Sequence, residues 1–251
     1  MAWWMVLEGQ ARAKRLKPGS LTRVHEYLGG TWGGQAPSYR HPLQRPKQYF
    51  PGLNGKPWHE PVDFQWTKVL EQAHNAITKE YLAVHAQGQF RRQHQGLDDA
   101  GEWNVYYLYY LGKKVEEHCR YCPETTAVIE SFPELAGTGL VYFSVLSGGT
   151  HIAAHCGPLN TRLRCHLGLV VPEGARIRVG TESRPWRDGA CLVFDDSFEH
   201  EVWNTSSTPR AVLIVDFWHP DLTPDETWAL GQVMRVSPEA RRSRKQILGR
   251  G

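Results

Sequence analysis

No stretch of the 251-residue sequence is apolar over the roughly 18 to 20 residues that a membrane-spanning helix requires. Residues 1–7 are too short and too poorly flanked to serve as a secretory signal. We therefore expect a cytoplasmic protein with no membrane segment. Hydrophobic residues make up 41% of the chain, which is enough to bury one substantial core.

Cysteine is scarce as well, and its odd count rules out a fully paired set of intrachain disulfides. The five cysteines are Cys119, Cys122, Cys156, Cys165 and Cys191. This usage fits a reducing compartment. Cys119 and Cys122 form a lone CxxC motif without the second ligand pair that a structural zinc site needs, so they are either a local structural pair or two free thiols.

Neither sign of charge predominates, and the formal net charge is +3 at pH 7. The most basic stretches, Arg12 to Lys17 and Arg241 to Lys245, lie near the two termini, where a solvated tail is the simpler explanation. Neither stretch is accompanied by a stripe of aromatic and basic residues. We therefore expect no nucleic-acid partner.

Three regions can be distinguished along the chain. Residues 1–62 are rich in glycine, proline, tryptophan and basic residues, and they predict an irregular segment, with room for one short helix, that wraps the domain. We expect residues 63–235 to form the folded domain and residues 236–251 to form a basic tail. The domain opens with apolar residues at three- and four-residue spacing from Phe64 to His85, which indicates an amphipathic helix capped by Asp63.

Short strands separated by turn residues dominate the rest of the domain. The first is the aromatic run Trp103 to Leu111, which is followed by a short helix, Pro123 to Phe132. Six more strands are predicted: Leu140 to Leu146, Leu163 to Val171, Ala175 to Gly180, Cys191 to Phe194, Glu199 to Trp203 and Ala211 to Trp218. This pattern favours a mainly β fold, a sandwich or jelly roll with flanking helices. Thr223, Pro224 and Glu226 supply the N-cap, first-turn proline and capping-box partner of a final helix.

Two β segments concentrate side chains that can bind metals or anions. Alternation places Arg164 and His166 on one face of their strand, and His200 shares a face with apolar neighbours. A single histidine on an apolar face is usually a hydrogen-bonded core residue, but the presence of His155 strengthens the case for a metal site. Jelly-roll oxygenases normally place a carboxylate two residues after the first histidine. This sequence has Gly157 there, so spacing alone weakens the metal interpretation.

Arg210 opens the last predicted strand and shares its face with apolar side chains. A guanidinium that points into an apolar pocket needs an anionic partner, and the far carboxylate of a dicarboxylic acid would match its planar fork. An ion pair with Asp195, Asp196 or Asp216 would satisfy it equally well. The residues alone leave both alternatives open.

Three segments carry a long and specific pattern: His155-Cys-Gly-Pro-Leu-Asn-Thr-Arg-Leu-Arg-Cys-His166-Leu-Gly-Leu, Phe194-Asp-Asp-Ser-Phe-Glu-His200-Glu-Val-Trp203 and Val215-Asp-Phe-Trp-His-Pro220. Together they closely resemble the aspartyl/asparaginyl β-hydroxylase family. The resemblance covers roughly Gly101 to Glu226, and Arg45 to Glu60 looks like the family's approach to the domain.

The resemblance implies a double-stranded β-helix, a cupin-like jelly roll, in which only two histidines bind the iron and a glycine replaces the carboxylate. By position, His155 and His200 would bind Fe(II), with water in the third place. Trp103 would line the substrate cleft. Four residues would bind the cosubstrate 2-oxoglutarate: Ser144, Arg164, His166 and Arg210. No side chain need act as an acid or base.

By the same resemblance, the protein is an Fe(II)- and 2-oxoglutarate-dependent dioxygenase that uses O2 to hydroxylate the β-carbon of aspartate or asparagine in a peptide or protein. Two alternatives remain. One is hydroxylation of a lipid A-type acyl chain, and the other is a catalytically silent binding module. The family's animal enzymes work in the lumen of the endoplasmic reticulum, so that compartment is the alternative to the cytoplasm if the sequence is a truncated form.

Overall fold

A computed structural model describes residues 2–33, 38–93 and 96–236, together with Arg242 and Lys245. Nearly all of the predicted basic tail, 236–251, lies outside these residues. The described helices are α1 Ala2–Ala13, α2 Thr22–Gly33, α3 Gln65–Gln72, α4 His74–Ala86, α5 Glu116–Arg120, α6 Pro123–Glu130, α7 Pro133–Ala136 and α8 Pro224–Val236. The described strands are β1 Trp58–His59, β2 Arg91–Arg92, β3 Asp98–Ala100, β4 Trp103–Tyr110, β5 Lys113–Lys114, β6 Val141–Leu146, β7 Thr150–His155, β8 Arg162–Val170, β9 Ala175–Val179, β10 Glu182–Pro185, β11 Cys191–Phe194, β12 His200–Asn204 and β13 Arg210–Trp218.

The strands form two antiparallel sheets that share one apolar core. The large sheet has the order β1-β11-β8-β13-β6-β4-β2, with β5 paired to β4, and the small sheet has the order β10-β9-β12-β7-β3. Neighbouring strands are mostly not consecutive in sequence, because the chain passes repeatedly from one sheet to the other. This is the connectivity of a jelly roll, so the predicted mainly β fold is confirmed.

The large sheet buries both of its faces. Along β8 and β13, one set of alternate residues, which includes Cys165, packs against the helices. The other set, which includes Val212, packs between the two sheets. Arg164 and His166 alternate with Cys165 and therefore face the space between the sheets, as the strand pattern predicts.

The N-terminal segment departs from its prediction. Residues 1–62 contain two helices of 12 residues each, α1 and α2, rather than irregular structure with one short helix. Both pack against α8 and bury Leu7, Val24 and Leu28 with Phe50 from the following loop. Glycine and tryptophan dilute the periodicity of these helices, so the sequence pattern does not reveal them. Contacts with α8 supply stability that local propensity lacks.

The predicted helix from Phe64 to His85 is two helices, α3 and α4, which meet at Ala73. Its apolar face packs against the large sheet as expected. The capping role predicted for Asp63 is wrong, because α3 begins after Phe64 and its N-cap makes no side-chain hydrogen bond. Asp63 instead ends a short 3-10 helix, one residue too early to cap α3.

The final helix, α8, begins where the sequence predicts. Glu226 Oε2 accepts a hydrogen bond from the Thr223 N–H at 2.8 Å, and Thr223 Oγ1 accepts one from the Glu226 N–H at 3.3 Å. This reciprocal pair is a capping box. Glu226 also accepts hydrogen bonds of 2.8 and 2.6 Å from Arg23 of α2. One carboxylate therefore caps α8 and joins it to the N-terminal helices.

The structure shows the state of the cysteines and the character of the helices. All five cysteines are free, so Cys119 and Cys122 are two buried thiols rather than a disulfide. None of the helices described is long and apolar enough to span a bilayer.

Candidate metal and cosubstrate site

His155 and His200 lie directly opposite each other on β7 and β12, beside an irregularity in the small sheet. His155 pairs with His200 and Ile152 pairs with Val202, so the two pairs are three residues apart along β7 and only two apart along β12. This one extra residue reverses the alternation of β7 after Ile152, so His155 faces the same side as Ile152. The two imidazole ring centres are 4.1 Å apart. The bulge also obscures the alternating pattern, and the sequence accordingly predicts no strand here.

Both histidines are held in the tautomer that a metal ligand needs. Nδ1 of His155 donates to the carbonyl of Ala153 at 2.8 Å, and Nδ1 of His200 donates to the carbonyl of Phe198 at 2.9 Å. Because a carbonyl can only accept, Nε2 of each ring is left with a free lone pair. Burial lowers the pKa of His155 and holds the pKa of His200 well below its ordinary value. The neutral form that binds metals is therefore favoured.

Asp196 closes the place where a third protein ligand would be expected. A Cβ at Gly157 would lie 2.6 Å from Asp196 Cγ, and the Gly157 N–H donates to the Asp196 carbonyl at 2.6 Å. A carboxylate-bearing side chain at 157 therefore does not fit. Among the described residues, no three His, Cys, Asp or Glu side chains form a group that could hold a metal ion. A metal at this point would have two protein ligands.

Arg164 lies beside the histidine pair with its charge already balanced. Its Nε donates to Asp216 Oδ1 at 2.8 Å, and its Nη1 lies 3.0 Å from Asp196 Oδ2. Burial opposes the charge on Arg164, but the two carboxylates outweigh this effect and hold its pKa well above the usual value. Asp216 is shared with Arg162, whose Nη1 is 3.6 Å from Asp216 Oδ2.

Arg210, by contrast, is buried without a counter-ion. It is 2% exposed, and no carboxylate of the described chain lies within ion-pair distance. Its Nη1 donates to the Ser144 carbonyl at 3.3 Å, whereas its Nε has no partner among the described residues. Burial lowers the pKa of Arg210 to about 9. The acids proposed as alternative partners are bonded elsewhere: Asp195, Asp196 and Asp216. A ligand carboxylate would therefore suit Arg210.

Trp186 joins Arg210 to His166 and is absent from the sequence-based prediction. Arg210 Cζ lies 4.6 Å from the Trp186 ring centre, and the His166 ring lies nearly parallel to the same indole, at 5.9 Å and 13°. Trp186 belongs to the loop between β10 and β11. The signal that could have found it is Gly168, an isolated glycine within β8. A Cβ there would collide with the Arg187 carbonyl of this loop.

Trp103 and Ser144 are directly bonded to each other. The Trp103 indole Nε1 donates to Ser144 Oγ at 3.0 Å, and both residues are buried. The Ser144 carbonyl accepts the hydrogen bond from Arg210. The residue predicted to line the substrate cleft is thus connected to the residues predicted to bind the cosubstrate.

His166 links the two halves of the site. Burial holds its pKa well below the ordinary value, and the charges of Arg164 and Arg210 act in the same direction. The Phe194 ring lies between the halves, with its centre 4.9 Å from that of His166 and 6.1 Å from that of His200. The structure thus brings the predicted metal, cosubstrate and substrate residues into one connected region between the sheets, while their individual roles remain predictions.

The sequence model described as Aspartyl/Asparaginyl beta-hydroxylase matches residues 71–220, which is more than half of the chain. The chain belongs to the aspartyl/asparaginyl β-hydroxylase family. This β-hydroxylase family member is 42% identical to the human aspartyl/asparaginyl beta-hydroxylase over 187 residues, which are 71% of this chain and 25% of the human protein. The chain therefore spans about a quarter of the length of that relative.

Two further relatives match this family member over more of their own length. The human aspartate beta-hydroxylase domain-containing protein 2 is 35% identical over 233 residues, which are 88% of this chain and 63% of that protein. The ornithine lipid ester-linked acyl 2-hydroxylase of Rhizobium tropici is 33% identical over 198 residues, which are 74% of this chain and 69% of that protein. The name of the Rhizobium tropici relative specifies an ester-linked acyl group of an ornithine lipid.

Proposed function

We propose that this chain is an Fe(II)- and 2-oxoglutarate-dependent dioxygenase that hydroxylates the β-carbon of aspartate or asparagine in a peptide or protein. The observation that carries the proposal is the combination of two neutral histidines that have free Nε2 lone pairs with a buried arginine, Arg210, that has no counter-ion in the described part of the chain. The histidine pair suits a transition metal, and the arginine suits the far carboxylate of a dicarboxylic acid. Membership of the β-hydroxylase family supports the same activity.

The residues present fit the iron and the cosubstrate. His155 and His200 would hold the iron through Nε2, and the two backbone carbonyls that accept from Nδ1 fix the orientation of the rings. Bound iron with 2-oxoglutarate supplies the O2-dependent oxidation of a C–H bond. Arg210 would bind the far carboxylate, with Ser144 beside it, and Arg164 and His166 would bind the opposite end.

The chain contributes positioning and shielding rather than proton transfer. Burial keeps the histidine pair and His166 neutral, so none of these rings is set up to donate a proton at neutral pH. The apolar core that both sheets share excludes water from the cosubstrate end of the site. The partly exposed His155 marks the side from which a substrate would enter.

The test uses the purified chain with Fe(II), 2-oxoglutarate and O2. We expect succinate to form together with a peptide product that is heavier by one oxygen atom, and fragmentation should place that atom on the β-carbon of aspartate or asparagine. Peptides with glutamate or glutamine at the same position are the matched controls. A chain that neither binds nor consumes 2-oxoglutarate would contradict the proposal.

A second substrate class is favoured by one specific relative, the ornithine lipid ester-linked acyl 2-hydroxylase of Rhizobium tropici. The same site would then act on an acyl chain. Vesicles that contain an ornithine lipid, offered in the same assay, distinguish this alternative by the gain of oxygen in the lipid. A silent binding module would bind 2-oxoglutarate and convert neither substrate.

The compartment is part of the proposal. We place the protein in the cytosol, with the lumen of the endoplasmic reticulum as the alternative. Fractionation of cells that express a tagged full-length protein separates the two.

A further inference from the structure

The contact between Arg210, Trp186 and His166 leaves several buried nitrogens unpaired. Trp186 Nε1, Arg210 Nε and both ring nitrogens of His166 have no hydrogen-bond partner within the described chain. Buried polar groups are nearly always hydrogen-bonded, and leaving one unpaired is costly. Four such atoms in three contacting side chains indicate that a ligand with several acceptor atoms completes this part of the site.

Trp186 is held firmly in this position. It is 3% exposed, and its ring lies against the Arg210 guanidinium at 4.6 Å. The loop that carries it is fixed to β8 by two backbone hydrogen bonds, from Gly168 N to Ala190 O at 3.1 Å and from Gly189 N to Gly168 O at 3.0 Å. The indole is therefore preorganised, and binding a ligand would require no movement of the loop.

A purely structural role would not require the N–H of this indole. Phenylalanine, although smaller, would still offer an aromatic ring to Arg210 and His166 without burying a donor. Trp103 differs from Trp186 in this respect, because its indole N–H already donates a hydrogen bond to Ser144 Oγ. Within the described part of the chain, the N–H of Trp186 has no partner and the neighbouring Arg210 guanidinium has no anion.

We propose that Trp186 is a further cosubstrate-binding residue, whose indole N–H donates a hydrogen bond to the far carboxylate of 2-oxoglutarate while its ring orients the Arg210 guanidinium. This inference rests on the proposed function, since it assumes that Arg210 receives that carboxylate. The two donors together would select 2-oxo acids that carry a second carboxylate over those that do not.

The test separates the indole N–H from the aromatic ring. Trp186→Phe removes the donor and keeps a ring in place. Affinities for 2-oxoglutarate and for 2-oxopentanoate, which has a methyl group in place of the far carboxylate, would be measured by calorimetry with the Fe(II) protein under anaerobic conditions. We expect Trp186→Phe to weaken 2-oxoglutarate by about ten- to a hundredfold, and 2-oxopentanoate by less than about threefold.

Trp58 provides a matched control. It is also buried, its indole N–H also has no partner among the described residues, and its ring also lies against an arginine, Arg184, at 4.5 Å. It contacts neither Arg210 nor His166 among the ring and cation contacts of the described chain. Trp58→Phe should therefore leave both affinities unchanged. An equal loss of 2-oxoglutarate affinity in the two variants would overturn the inference.

The remaining outcomes are also decisive. If Trp186→Phe weakens both ligands equally, or neither, the indole N–H does not bind the far carboxylate. If the parent protein binds no 2-oxoglutarate at all, the proposed function fails together with this inference.

A second measurement needs no variant, so it tests the inference even if Trp186→Phe does not fold. In the parent protein loaded with Zn(II), the indole N–H resonance of Trp186 should shift on addition of 2-oxoglutarate and not on addition of 2-oxopentanoate. A resonance that responds equally to both ligands, or to neither, would overturn the inference.

Discussion

The carboxylate of Asp196 occupies the space that a side chain at Gly157 would need, since a Cβ at 157 would lie 2.6 Å from Asp196 Cγ. Asp196 comes from the loop between β11 and β12 and is itself paired with Arg164. The glycine of the His155-Cys-Gly segment is thus required by packing. Gly157 follows β7, whereas the Asp196 carboxylate that fills this space comes from the loop between β11 and β12.

Introducing a carboxylate at residue 157 should therefore destabilise the protein rather than create a third metal ligand. We expect Gly157→Ala to lower the free energy of unfolding by about 1–3 kcal/mol through overpacking. Gly157→Asp should cost more, because it places a second carboxylate beside Asp196, whose pKa burial already raises. Thermal unfolding measures both effects.

The double variant Gly157→Asp/Asp196→Ala is the control for this prediction. It removes the carboxylate that causes the clash and should regain part of the lost stability. A Gly157→Asp protein as stable as the parent would contradict the packing argument.

Metal binding is expected to depend on the two histidines and not on the neighbouring acids. His155→Ala or His200→Ala should abolish both tight Fe(II) binding and turnover. Asp195→Ala should retain metal, because both oxygens of the Asp195 carboxylate already accept hydrogen bonds, from Gln44 and from the Ser197 N–H. Metal content after dialysis and turnover would be measured on each variant. Evidence that Asp195 or Asp196 coordinates the iron directly would contradict the assignment.

Arg210 should be required for the cosubstrate but not for folding. Loss of a buried, charge-assisted contact costs roughly 2–5 kcal/mol, so Arg210→Ala should weaken 2-oxoglutarate by about thirtyfold to several thousandfold. Without ligand, Arg210 is a buried cation with no counter-ion among the described residues. Arg210→Met, which keeps much of the buried volume, should therefore leave the melting temperature of the ligand-free protein unchanged or higher. Calorimetry and thermal unfolding report the two effects separately.

Arg23→Ala is the matched arginine control for that experiment. Arg23→Ala removes the ion-pair partner of the buried Glu226. It should lower the melting temperature while the affinity for 2-oxoglutarate stays constant. Unchanged cosubstrate affinity in Arg210→Ala would instead show that another group binds the far carboxylate.

Regular alternation made half of the site predictable from the sequence. In β8, Arg164 and His166 alternate with apolar residues that pack against the helices, so their common face could be inferred without a structure. Arg210 could be placed on the interior face of β13 in the same way. The absence of a counter-ion for Arg210 among the described residues could not, because it depends on how Asp195, Asp196 and Asp216 pair with other groups.

The parts that the sequence does not reveal depend on irregular structure. His155 faces the interior through a bulge in β7, and alternation alone would have pointed it outward. Trp186 enters the site from a loop that is positioned by contact with Gly168. The helices α1 and α2 depend on contacts with α8, about 200 residues away in sequence. In each case the deciding interaction is not local.

Two buried histidines outside the site should make the protein sensitive to acid. His59 and His219 meet edge to face, with ring centres 6.1 Å apart. Burial lowers the pKa of His59 to about 4 and also lowers that of His219. The unfolded chain takes up a proton near pH 6.5, whereas folded His59 does so only near pH 4. Stability is therefore full above pH 6.5 and is lost as the pH falls from 6.5 towards 4.

The measurement is the melting temperature of the metal-free protein between pH 7.5 and pH 4. The His59→Phe variant keeps an aromatic ring, removes the titrating group and should show a shallower decline than the parent. Parallel curves for the two proteins would show that other groups govern the acid sensitivity.

Trp103 provides the test of substrate class. As the residue expected to line the cleft, Trp103→Ala should raise the KM for an aspartate- or asparagine-containing peptide. Its hydrogen bond to Ser144 adds a second effect, because losing a neutral hydrogen bond of about 1 kcal/mol would weaken 2-oxoglutarate up to about fivefold. Ser144→Ala removes the same bond and keeps the indole ring, so it should not raise the peptide KM. It should weaken 2-oxoglutarate at least as much as Trp103→Ala does, because Ser144 is itself proposed to lie beside the far carboxylate. The difference in peptide KM between the two variants measures how much the Trp103 ring contributes to peptide binding. If the peptide kinetics of Trp103→Ala match those of the parent while an ornithine lipid gains oxygen, the acyl chain becomes the preferred substrate.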